Sequence, residues 1–150
     1  MKLKEIFETC SAIMEKEGLR IEEDEGFDRF ILEFNKKTFY IIPMLDVEYI
    51  ANNTTNSPEE YEYDFILIKT GGIKKLGNEE KRNKCLFILN SCNDENTNVK
   101  FYLGDDEDVV YTESGFYIES GIEIGKYLVK SIKQIYDSIQ SSKEKMKKLL

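Results

Sequence analysis

Residues 78–139 constrain the fold most, because they read in immediate succession as helix, loop, acidic hairpin and helix. Asn78 is a helix-capping residue type, and Glu79 and Glu80 follow where the helix dipole favours negative charge. Cys85, Leu86, Leu89 and Cys92 recur at helical spacing as a buried stripe. Phe87 and Ile88 widen it, which predicts burial on more than one side. Asn93-Asp94 and the polar run to Asn98 end that helix. VKFYL at 99–103 and VVYT at 109–112 are strands joined across Gly104–Asp108, with a bulge expected at Ser114-Gly115. A last helix opens near Gly121, with Ile124, Leu128, Ile132, Ile135 and Ile139 on one seam. Unbroken to Leu149 it would be about 42 Å long. Its basic end, 142–150, is read either as a frayed tail or as a segment reaching a second subunit.

The first half is read as one helix followed by strands. Leu3, Ile6, Phe7, Cys10, Ile13 and Met14 form an amphipathic stripe over 2–17, closed by Gly18. Leu19 and Ile21 begin a short strand that runs into the acidic turn Glu22–Gly26. FDRFILEF at 27–34 and KTFYIIPML at 37–45 are strands separated by Asn35-Lys36, a tight hairpin turn. Pro43 lacks a ladder donor, which places its end of the strand at an edge or bulge. Asn52–Glu60 has no apolar periodicity and reads as a mobile loop. YEYDFILIK at 61–69 restarts a strand that Gly71-Gly72 end. The pattern predicts an α+β domain of two layers, an antiparallel sheet with helices on one face. All 150 residues fall in a single domain, since no linker or repeat divides them.

Composition removes several function classes. The chain has no histidine, so the commonest general base and metal ligand at neutral pH is missing. Cys10, Cys85 and Cys92 form no CxxC or Cys/His cluster for zinc and read as small core residues; no metal or cofactor is expected. The net charge of −8 argues against a nucleic-acid backbone as partner. Residues 15–28 carry −5 and residues 100–123 carry −6, so the remainder is net positive. An acidic exterior suits either solvation or basic partners. No apolar run approaches the roughly 20 residues of a membrane span. Ile6 and Phe7 are followed at once by Glu8, leaving no export-signal core, so a cytoplasmic location is predicted.

The candidate chemical motifs have bland readings beside the sharp ones. Gly104–Asp108 could hold a cation through its carboxylates, but lacks EF-hand spacing and fits a hairpin turn. Glu22–Glu25 poses the same choice. Gly71-Gly72 with Lys74, Lys75 and Gly77 is no phosphate loop, since neither GxxxxGK[ST] nor GxGxxG is present. No GxSxG elbow occurs. The chain is therefore expected not to be an enzyme.

The segments CLFILNSCN at 85–93, VKFYL at 99–103, GDDED at 104–108, DVVYTES at 108–114 and SGIEIGKYLVKSI at 120–132 resemble the YbjN family. That family's fold resembles type III secretion chaperones. The resemblance covers roughly the last 65 residues well, and the first 75 match only as a helix followed by strands. It implies the two-layer α+β domain already read, and a non-enzymatic, chaperone-like or regulatory role through protein contacts. It carries no catalytic residue.

The leading expectation is thus a protein-binding domain with a polypeptide partner or client, itself a homodimer. It would use apolar sheet surface and exposed edges. Phe39, Ile41, Phe65 and Leu67 alternate along strands and are the candidate partner-binding residues, with core packing the alternative. A small-ligand-binding sensory or regulatory subunit is the reading from a second class. An unusual hydrolase, needing a deep pocket lined by several acids, is a third.

Overall fold

The structure is a computed structural model that describes residues 1–73, 77–95, 98–104, 109–119 and 121–149. Its first helix, α1 (Leu3–Lys16), buries Ile6, Cys10 and Met14 and stops at Gly18, whose φ of 73° is the left-handed closing conformation. Strands β1 (Ile21–Glu23), β2 (Phe30–Phe34) and β3 (Lys37–Met44) follow as an antiparallel meander. The β2–β3 connection is the two-residue turn Asn35-Lys36, with φ of 49° and 62°. Both positive values make it the mirror-image turn that matches strand twist. Lys36 holds a conformation glycine occupies without steric cost, so Lys36→Gly is expected to stabilise the fold by up to about 1 kcal/mol, read by urea denaturation.

Helix α2 (Val47–Asn52) stands between β3 and the stretch read as a loop, Asn52–Glu60, which itself ends in a 3-10 turn at Pro58–Glu60. Asp46 caps α2 by accepting the Tyr49 N–H at 2.6 Å. Tyr49, Tyr61 and Tyr63 stack edge to face, and the Tyr63 hydroxyl donates to the Pro58 carbonyl at 3.0 Å. Isolated tyrosines thus fix a stretch that shows no periodicity.

Strand β4 (Phe65–Ile73) does not stop at Gly71-Gly72; it passes through them with a register shift between Gly71 and Ile73. Helix α3 (Glu79–Glu95) starts at the Asn78 cap, whose Oδ1 accepts the Lys81 N–H at 2.9 Å. It buries Cys85, Ile88, Leu89 and Cys92, while Leu86 is exposed and Phe87 is 74% exposed. The helix is therefore buried on one side only. Strands β5 (Lys100–Leu103) and β6 (Val110–Tyr117) complete one six-stranded antiparallel sheet, in the order β1-β2-β3-β4-β6-β5. The acidic run 105–108 between them lies outside the described residues.

Pro43 fits its strand because the β2–β3 ladder ends at Phe30↔Ile41, leaving residues 42–44 paired with β4 alone. Its missing donor thus falls where β2 has already ended.

Helix α4 (Gly121–Leu149) runs unbroken through the stretch read as a frayed tail. Ser142 is buried and its hydroxyl donates to the Ile139 carbonyl at 2.9 Å, and Lys145 forms an ion pair with Glu95 of α3. Helices α1, α3 and α4 form one layer. The sheet turns Phe30, Leu32, Phe39, Ile41, Ile66, Ile68, Thr70, Phe101 and Thr112 against it, all buried. The seam Ile124, Leu128, Ile132, Ile135 and Ile139 is buried in the same core. Phe7 packs on Phe30 with ring centroids 5.1 Å apart.

Candidate functional site: an open sheet face and an open strand edge

Alternation along strands sends every second residue to the face away from the helices. Register lines these residues up in rows: Ile42, Leu67 and Gly115; Met44, Phe65 and Tyr117; Tyr40, Lys69 and Glu113. Except for exposed Gly115, Met44 and Tyr117, they are half-buried, whereas the helix-side residues between them are buried apart from half-buried Phe116. Tyr117 is 73% exposed.

Polar aromatic contacts organise one end of this face. Tyr102 and Tyr111 stack with centroids 5.6 Å apart, and the Lys69 ammonium lies over both rings, 4.4 Å from Tyr111 and 5.3 Å from Tyr102. The Tyr102 hydroxyl is held well above its usual pKa, first by burial and then by the Glu113 carboxylate, to which it donates. Arg29 pairs with Asp24, and its guanidinium lies 4.4 Å from the ring centroids of both Phe27 and Tyr40. Between these groups lies a depression of ≈ 430 Å³ lined by Thr38, Tyr40, Ile42, Lys69 and Tyr111.

A second depression, ≈ 400 Å³, lies where β5 begins, with Phe65, Leu67, Val99, Lys100, Glu113 and Gly115 among its lining. Strand β5 pairs with Val110–Glu113, so among the described residues Ser114–Tyr117 has a ladder partner on the β4 side alone. The Ile118 N–H donates to the Asp64 carbonyl at 2.8 Å, which fixes the alternation of the ladder. By that alternation the N–H and C=O groups of Gly115 and Tyr117 point to the open side. The outer edge of β5 is closed by contrast. Asn93 of α3 accepts the Phe101 N–H at 2.7 Å and donates to the Phe101 carbonyl at 3.0 Å, replacing a strand with one side-chain amide.

Gly115 forms no bulge, since its pairing with Leu67 is regular. Its lack of a side chain makes room for Phe65. A Cβ there would collide with the Phe65 ring and sit 2.9 Å from the Ile66 carbonyl oxygen. Gly115→Val is expected to cost about 1–3 kcal/mol in chemical denaturation, because backbone as well as ring must move.

The structure divides the four candidate partner-binding residues. Phe39 and Ile41 point into the helix-facing core, fully buried, and cannot line a binding surface. Phe65 and Leu67 lie on the open face, beside the unpaired end of β6. Both parities of these strands are apolar, so alternation alone does not reveal which face the helices cover. The contributions of Gly115, Tyr117 and Asn93 are set by strand order, which no local pattern carries.

The cysteines are buried and form no disulfide. Burial pushes the Cys10 thiol up to about 12 and the Cys85 thiol up to about 11. Among the described residues no group of three or more Cys, Asp or Glu side chains is arranged to hold a metal ion. Among them, too, no helix is long and apolar enough to cross a membrane.

Fold and surface together define a two-layer α+β domain, with helices on one sheet face and, among the described residues, the other face and the outer side of the end of β6 uncovered. This is a YbjN-like fold. The chain is similar over 92% of its length, and over 91% of the other chain, to the crystal structure of YbjN from E. coli, with a TM-score of 0.64 and 13% sequence identity. That protein is provisionally described as a transcription regulator. No family model matches the chain, and no curated protein matches it.

Proposed function

We propose that this chain is a non-enzymatic cytoplasmic protein-binding domain, chaperone-like or adaptor-like, which takes an extended polypeptide segment alongside Ser114–Tyr117. The observation that carries this reading is the end of β6 that is unpaired on its outer side among the described residues, beside the apolar row Met44, Phe65 and Tyr117. An added strand would satisfy the outward backbone groups of Gly115 and Tyr117, and its alternate side chains would rest on Phe65 and Leu67. The protonated, buried thiols support a role without covalent catalysis. A regulatory form of the same role accords with the provisional description of YbjN. With a net charge of −8, such regulation would run through a protein rather than direct DNA contact.

The test is affinity capture from native cytoplasm with wild type, Leu67→Lys and Tyr117→Pro, with Phe87→Ser on α3 as the control. Proline at 117 removes an outward N–H and blocks strand addition. The expected result is a stoichiometric polypeptide that survives moderate salt, is lost from both sheet variants and is retained by the control. Background binding alone, or capture insensitive to Leu67 and Tyr117, overturns the reading.

The depression under Lys69, Tyr40 and Tyr111 favours a second reading, a small-ligand sensor, since ≈ 430 Å³ lies within the range of roughly 300–1,000 Å³ typical of ligand pockets. A ligand specific for the folded state would raise the melting temperature, and Lys69→Met would abolish that rise.

A further inference from the structure

A groove of ≈ 860 Å³ lies between the first turns of α1 and the β1–β2 connection. Leu3, Phe7 and Phe30 contribute apolar surface, and Phe27 stands at its side 62% exposed. Seven carboxylates line it against three cations, and one of those cations, Arg29, is already engaged by Asp24. The groove is therefore an apolar trough inside a strongly negative rim.

The opposite charge is found at the far end of the same molecule. Helix α4 runs parallel to α1: Gly121 lies beside Thr9, Gly125 beside Ile13, and Lys133 pairs with Glu17 at 3.9 Å. Since α1 ends at Lys16, α4 continues from Lys133 to Leu149, about 24 Å beyond its neighbour. That end carries Lys143, Lys145 and Lys147 against Glu144, and Lys145 is already engaged by Glu95 of α3. It lies about 42 Å along the helix from the level of Thr9, farther still from the groove, so it cannot fill the groove of its own chain.

We propose that the basic end of α4 from a second copy of this chain occupies the groove. Lysine stems would lie over Phe7 and Phe27 while their ammonium groups meet the carboxylate rim. Groove and tail sit at opposite ends of the parallel α1–α4 pair, so two antiparallel copies make the contact twice and close as a two-fold dimer. This proposal is independent of strand addition at β6, and either stands if the other fails.

The test is mass measurement by light scattering on the full chain. The expected result is twice 17.6 kDa in 20 mM salt, falling to the monomer in 500 mM salt as exposed charges are screened. Glu8→Lys with Glu25→Lys reverses the rim, and Lys143→Glu with Lys147→Glu reverses one face of the tail. Each pair alone is expected to weaken dimerisation at least tenfold, and the two combined to restore it. Circular dichroism on each variant separates lost assembly from lost folding. A monomer in low salt, a dimer indifferent to salt and to both reversals, or no restoration in the combined variant overturns the proposal.

Discussion

Raising the pH from 9 to 12 is expected to unfold this protein, and Cys10→Ala is expected to delay that unfolding. The Cys10 thiol lies in the core contact of α1, and burial lifts it from 9.0 to about 12. Its proton is bound in both states below pH 9, so its contribution is then fully present. Between 9 and 12 the unfolded chain has released the proton while the folded chain still holds it. Stability therefore falls as pH rises through that window. Three pH units correspond to about 4 kcal/mol, a large part of the roughly 5–15 kcal/mol of a typical domain. Cys85, raised to about 11, and Tyr63, raised to about 12, act with the same sign. At pH 7 Cys10→Ala loses a buried sulfur and is less stable than wild type. The two denaturation curves are therefore expected to cross above pH 10. A wild type whose urea midpoint is flat from pH 8 to 11 refutes this account.

The elements that local pattern resolved are those with one apolar parity. The seam from Ile124 to Ile139 and the stripe of Ile6, Cys10 and Met14 face the core because polar residues occupy their other faces. Asn35-Lys36 is legible because two residues between alternating runs leave few turn geometries. Where both parities are apolar the sequence is silent about sides. KTFYIIPM and FILIK would serve equally well with either face inward, and Phe39 and Phe65 consequently end on opposite faces. Helix α3 misleads for a related reason. Leu86 and Phe87 look like core, yet α3 packs on β5 and α4 from one side only. The open end of β6 was illegible because it follows from β5 spanning Lys100–Leu103 against a strand twice its length.

That difference in length makes Asn93 the residue that decides where the β5 side of the sheet can be extended. Its amide closes the β5 edge at Phe101 through two hydrogen bonds, so among the described residues an incoming strand meets uncovered backbone at the end of β6 but not there. Asn93→Leu keeps the approximate volume and removes both partners. The Phe101 N–H and C=O then face an apolar side chain, and each unsatisfied group costs about 1–3 kcal/mol. A loss of about 2–4 kcal/mol follows, since water reaches a half-buried position in part. Asn93→Asp keeps the acceptor but sets a carboxylate against the Phe101 carbonyl, and is expected to destabilise as well. Amide exchange at Phe101 should accelerate in both variants, while Tyr102, bonded inward to β6, should follow global stability only. If Asn93→Leu left both the denaturation midpoint and Phe101 exchange unchanged, the amide would not be closing the edge. Loss of the cap should also expose the β5 edge to strand addition, so concentration-dependent association of Asn93→Leu under conditions where wild type keeps its own oligomeric state is the further result expected.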